Sequence, residues 1–122
     1  MTMRRTILLA AAIAALAAGQ ARAHARLIHA SPRVGASVSA PPRELRLSFS
    51  ESIDPAQSSV SLCTPDGRAV ALGPLSLEAK DHRVVVLAIP APLASGTYRV
   101  QWRMTSMDTH RTEGDFIFKV KP

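Results

Sequence analysis

His24, Asp108 and His110 are the residues of this 122-residue chain whose types and spacing suit the holding of a metal ion. Asp108 and His110 stand two apart in "SMDTHRTEG". If that stretch is extended, both side chains point to one face. They then offer a carboxylate oxygen and an imidazole nitrogen in a shared patch. A solvated loop contains such a pair often enough that D-x-H alone leaves both readings open. His24 gains interest from its position, directly behind Ala21-Arg22-Ala23, where Ala21-x-Ala23 supplies the small residues that signal peptidase accepts. After a cut at Ala23, His24 would begin the mature chain. Its α-amine and ring Nδ1 would close a chelate ring on one ion. A free α-amine titrates near about pH 7.7–8.0, so losing its proton to a metal costs little at neutral pH. Together with His110 and Asp108 this makes an N/N/N/O donor set. In a tetragonal plane such a set suits Cu(II), which heads the divalent affinity order. The competing reading is that His24 is simply the residue that followed the signal.

The segment ahead of His24 reads as a secretory signal. Arg4 and Arg5 give a positive start, "ILLAAAIAALAA" from Ile7 to Ala18 is wholly apolar, and Ala21-x-Ala23 closes it. The apolar run falls short of the roughly 20 residues that span a bilayer. We therefore expect residues 1–23 to be removed rather than kept as an anchor, which is the rival reading. The expected mature domain is 24–122. The whole chain has 15 Lys+Arg and 9 Asp+Glu, and Arg4, Arg5 and Arg22 leave with the signal, so the domain carries 12 − 9 = +3. Its Arg and Lys are scattered between acids, without the basic stripe that nucleic-acid binding requires.

Other chemistries find little support. There is no Gly-rich phosphate loop and no G-x-S-x-G elbow. A single cysteine, Cys63, cannot form an internal disulfide, and its place beside Leu62 reads as a small buried hydrophobe in mid-strand. His29 and His82 read as surface residues. An exported domain without disulfides must be held by packing, or with help from a metal.

These residues need a scaffold, and the pattern is that of strands. "ELRLSF" alternates Leu45, Leu47 and Phe49 against Glu44, Arg46 and Ser48. "SVSLC" and "RAVAL" flank "TPDG", whose Pro65, Asp66 and Gly67 suit a tight turn. "RVVVLAI" is a continuous β-branched run, of the kind buried on both sides. "TYRVQWRM" alternates Tyr98, Val100, Trp102 and Met104 against polar partners, and "GDFIFKV" turns Phe116, Phe118 and Val120 inward. With "ARLIHA" in front, about seven short strands result. That number in roughly 100 residues predicts an all-β, immunoglobulin-like Greek-key sandwich or small barrel. Tyr98, following "PLASG", stands where a tyrosine corner would sit, or is an ordinary strand aromatic.

The sequence resembles the CopC family of periplasmic copper-binding, copper-resistance proteins. The likeness lies in "HARLIHASPRVGASV", in the "FSE" of "PPRELRLSFSESID", and in "GTYRVQWRMTSMDTHRTEGDFIFKV". The resemblance implies a Greek-key β-sandwich binding one Cu(II) per chain, with the amine and ring of His24, Asp108 and His110 as ligands. It also implies a place for Glu51, the acid of "FSE", as an axial group or a partner of the ligands. Some members carry a second, Cu(I)-selective site in a Met-rich loop. The corresponding "SLCTPDGRAVALG" has no Met, and only Met104 and Met107 follow His24. Soft thioether ligands would select Cu(I), so no dedicated Cu(I) site is expected. The resemblance further implies a monomeric periplasmic carrier or buffer acting in copper tolerance or delivery, with a CopD-type inner-membrane importer as partner. Four protein donors would nearly fill the Cu(II) plane, which argues against turnover. The rivals are an oxidative copper enzyme with an N-terminal histidine chelate, and a plain Ig-like interaction module.

Overall fold

The computed structural model describes residues 24–122; the expected signal, 1–23, lies outside them. Among the described residues nine strands form two sheets. They are β1 (Leu27–Ser31), β2 (Ser37–Val38), β3 (Glu44–Phe49), β4 (Ser59–Cys63), β5 (Ala69–Val70), β6 (Ser76–Glu78), β7 (Asp81–Ala88), β8 (Gly96–Thr105) and β9 (Arg111–Val120). One sheet runs β1-β3-β7-β6 and the other β2-β9-β8-β4-β5. The strands expected from alternation are all present. The two extra ones, β2 and β6, are two and three residues long and only extend sheet edges. Among the described residues no helix is long and apolar enough to cross a membrane.

The inner faces follow the alternation. Leu45, Leu47 and Phe49 of β3 and Val85 and Leu87 of β7 meet Val100, Trp102 and Met104 of β8 and Phe116 and Phe118 of β9 in one buried core. Continuous burial of "RVVVLAI" is only partly realised, because Val86 is half-buried and Ala88 exposed on the outer face. The β4–β5 hairpin turns through Thr64–Arg68, where Gly67 adopts φ +86, a conformation that favours glycine. Cys63 is not in mid-strand. It ends β4 and is only half-buried. The Tyr98 hydroxyl donates to the Ala94 carbonyl at 2.6 Å, so the tyrosine corner exists and ties the incoming loop to β8.

One glycine is fixed by packing. Gly114 of β9 sits opposite Trp102 of β8, whose ring meets Phe49 edge-on at 5.2 Å. A Cβ on Gly114 would lie 2.5 Å from Cζ2 and 2.7 Å from Cε2 of Trp102. Gly114→Ala is therefore an overpacking change, expected to destabilise the fold by about 1–3 kcal/mol. Thermal melts of the metal-free protein followed by circular dichroism should show a lower Tm. An unchanged Tm would mean that Trp102 has room to shift.

The topology collects one end of the sandwich. β1 begins where β3 ends, Leu27 facing Phe49. β7 begins there as well, Val84 facing Ser48. In the other sheet β8 ends and β9 begins there, Thr105 facing Arg111. The segment after β3 crosses between the sheets. Ile53 donates to the His82 carbonyl and bridges Ser106, and Asp54 donates to the Thr105 carbonyl. His24, Glu51, His82, Asp108 and His110 thus share one end of the molecule.

Candidate metal centre

His24 and His110 come together although they lie at opposite ends of the domain's sequence. Their rings stack with centroids 4.7 Å apart and planes inclined at 22°. Asp108 joins them through His110, with Oδ2 3.2 Å from the ring Nδ1. About half of each of these two side chains is exposed, 50% and 49%, so an ion arriving from solvent can reach them.

The proximity of Asp108 and His110 arises differently from what the spacing suggested. Residues 106–110 are not extended. They form the turn joining β8 to β9, with Ser106 N–H donating to the His110 carbonyl and Thr109 N–H to the Ser106 carbonyl. Thr109 takes φ +73 to make the reversal, a region in which a β-branched residue is uncommon. The turn brings the carboxylate and imidazole onto one side by curling the chain rather than by strand alternation.

Ser106 is a partner that the sequence reading missed. It is buried, and its hydroxyl donates to Asp108 Oδ1 and also lies 3.2 Å from the His110 carbonyl. This Ser106 hydrogen bond is the main reason the Asp108 carboxyl is held below the usual carboxylate range, with the His110 ring adding to it. Asp108 is accordingly ionised at neutral pH. Serine two residues before aspartate is a familiar local turn spacing, and that was the available signal.

The remaining expected residues fall as follows. Glu51 is half-buried just past β3. Among the described contacts it makes no hydrogen bond or ion pair with His24, Asp108 or His110; its charge is felt by Arg83. Arg83 itself is clasped by Asp81, with Nε 3.1 Å from Oδ1. His29 is exposed on the outer face of β1, paired with Ser48. His82 is exposed at the start of β7 and touches this end through its backbone only, in the contacts described. Met107 is 65% exposed beside Asp108, while Met104 is buried in the core.

The donor chemistry fits a borderline divalent ion, since two imidazoles and an ionised carboxylate suit Cu(II). Among the described residues no three His, Cys, Asp or Glu side chains already converge on a single point. Asp108 Oδ2 faces His110 rather than His24. Ser106 holds Oδ1, so Oδ2 is the oxygen that would exchange its contact with the His110 ring for an ion while the other stays anchored.

The molecule is a small β-sandwich that brings a histidine from just ahead of its first strand onto a D-x-H turn. Residues 27–121 match the CopC domain, and the chain belongs to the CopC family. Copper resistance protein C of Xanthomonas campestris pv. juglandis is 36% identical over 113 residues, covering 88% of both chains. The crystal structure of CopC from Methylosinus trichosporium OB3b superposes with a TM-score of 0.75 at 36% identity, covering 81% of this chain and 95% of that one. PcoC, a methionine-rich copper resistance protein from Escherichia coli, superposes with a TM-score of 0.71 at 34% identity, covering 81% and 100%. The present chain keeps that fold with far less thioether, having only Met104 and Met107 after His24.

Proposed function

We propose that the chain, exported and cut after Ala23, is a monomeric periplasmic carrier or buffer for Cu(II), not an enzyme. It would hold one ion through the amine and ring of His24, His110 and Asp108. The observation that carries this reading is the stacking of the His24 ring on the His110 ring, with Asp108 Oδ2 3.2 Å from Nδ1 of the latter. Family membership supplies the metal, since related proteins are named for copper resistance. Glu51 is the nearest further carboxylate along the chain to the His24 anchorage and serves as an axial group or a partner of a ligand. A CopD-type inner-membrane importer is the proposed recipient.

The scarcity of thioethers argues for the oxidation state. Imidazole, amine and carboxylate suit Cu(II), and Cu(I) is better held by soft sulfur. EPR of the processed protein is expected to show one tetragonal Cu(II) signal that saturates at one equivalent. With a competing chelator, Cu(I) should be lost more readily than Cu(II). A tight second equivalent, or better retention of Cu(I), would contradict the reading.

A further inference from the structure

The first residues of the domain are held at both flanks by hydroxyl groups that belong to neither sheet's ladder. Thr112 Oγ1, on β9, donates to the Ala25 carbonyl at 2.8 Å. From the other sheet, Ser50 Oγ accepts from the Arg26 N–H at 2.8 Å and donates toward the His24 carbonyl at 3.3 Å. The Ser50 N–H donates to the Arg26 carbonyl at 2.9 Å. Between these contacts the Ala25 side chain is 1% exposed and belongs to the core. Three consecutive residues, His24 to Arg26, are thereby clamped between the sheets although they precede β1.

We propose that Thr112 and Ser50 form a latch that positions the N-terminal histidine for copper. The proposal rests on His24 being a ligand. Each hydroxyl sits close in sequence to another residue of the site. Thr112 is two residues from His110, and Ser50 is next to Glu51. The latch therefore ties the start of the chain to the two segments that bear the other candidate groups. A chain terminus otherwise frays, and ordering it on binding would consume part of the binding free energy. The latch makes that ordering part of folding. It also explains why a domain with no disulfide can keep its terminal residue against a turn on the opposite sheet. These are positioning residues. Neither hydroxyl is placed on the ion.

The test is Thr112→Val in the processed protein, which keeps the shape and removes the hydroxyl, with Thr112→Ser as the rescuing variant. Cu(II) affinity is measured by chelator competition. Thr112→Val is expected to lower it by about 10-fold, the low end of the roughly 10–100-fold effect of losing an outer partner of a ligand. Thr112→Ser should restore it. Adding Ser50→Ala should lower it further, and exchange of the Arg26 amide proton should speed up. In a His24→Ala background that also keeps a methionine ahead of position 24, so that ring and free amine at that position are both gone, Thr112→Val should leave the residual affinity unchanged, because there is no longer a terminal ligand to position. That coupling is what a merely structural role would not produce. His110→Ala serves as the reference. If it weakens binding while Thr112→Val does not, or if Thr112→Val costs the same with and without His24, the latch is wrong and the copper site stands. If His110→Ala itself has no effect, the copper reading fails and the latch goes with it.

Discussion

His110→Ala is expected to weaken Cu(II) binding by on the order of 100-fold or more. Removing only an outer partner of a metal ligand costs about 10–100-fold, and His110 is proposed as a ligand itself. The change removes three things at once. It takes away an imidazole donor, the surface on which the His24 ring stacks, and the group that orients Asp108 Oδ2. The EPR parameters should change as well, because a nitrogen leaves the plane. The fold should not, since His110 is exposed and its structural link to Ser106 runs through its backbone carbonyl. His82→Ala is the informative control. His82 lies at the same end of the sandwich and is exposed, yet its described contact there is a backbone bond to Ile53. It should bind Cu(II) with parental affinity and spectrum, as should His29→Ala. Equal losses at positions 110 and 82 would show that copper is held by general surface histidine content.

How much of this could be read from the residues varies with the distance over which each feature is decided. Strands facing solvent on one side write their burial into alternation. Leu45, Leu47 and Phe49, and Tyr98, Val100, Trp102 and Met104, therefore point inward as the sequence predicts. The edge strands β2 and β6 are too short to show a period. They exist because a long neighbour, β9 or β7, offers free ladder groups. Cys63 looked buried from its neighbour Leu62, but the turn at Thr64 starts immediately after it and leaves it half open. For the site, residue types were more legible than geometry. Asp108 and His110 do meet, though through a turn whose positive φ falls on Thr109, where nothing in a threonine announces it. The His24–His110 stack is decided by which strands end together, so donor types could suggest the pairing and the family likeness support it, but neither showed the geometry. Ser50 and Thr112 were not singled out, because hydroxyl residues on partly exposed strands are common and their partners are main-chain groups far along the chain.

The largest loss is expected from one added residue. A chain made without its leader, but keeping a methionine ahead of His24, preserves every side chain of the candidate site. The His24 nitrogen, however, becomes an amide, a poor donor until it is deprotonated. The chelate of amine and ring is lost, and the ring alone must hold that corner of the ion. Cu(II) affinity should fall by well over the roughly 10–100-fold cost of removing an outer partner, and the EPR spectrum should report fewer nitrogens. Folding should be unaffected, because the clamp on Ala25 and Arg26 lies inward of the added residue and uses no terminal amine. The pH dependence has a fixed sign. Metal and protons compete for the same donors, so affinity of the processed protein should weaken as pH falls below the amine range of about 7.7–8.0. Asp108 does not set that limit, since Ser106 and then His110 hold its carboxyl below the usual range, and it titrates only in stronger acid. The extended chain has no free amine at His24 and should lose this part of the pH dependence. Processing would then act as the switch that completes the site, confining tight copper binding to protein that has been exported and cut. If the extended chain binds Cu(II) as tightly as the processed one, with the same spectrum and pH profile, the amine is not a ligand and the site is built from side chains alone.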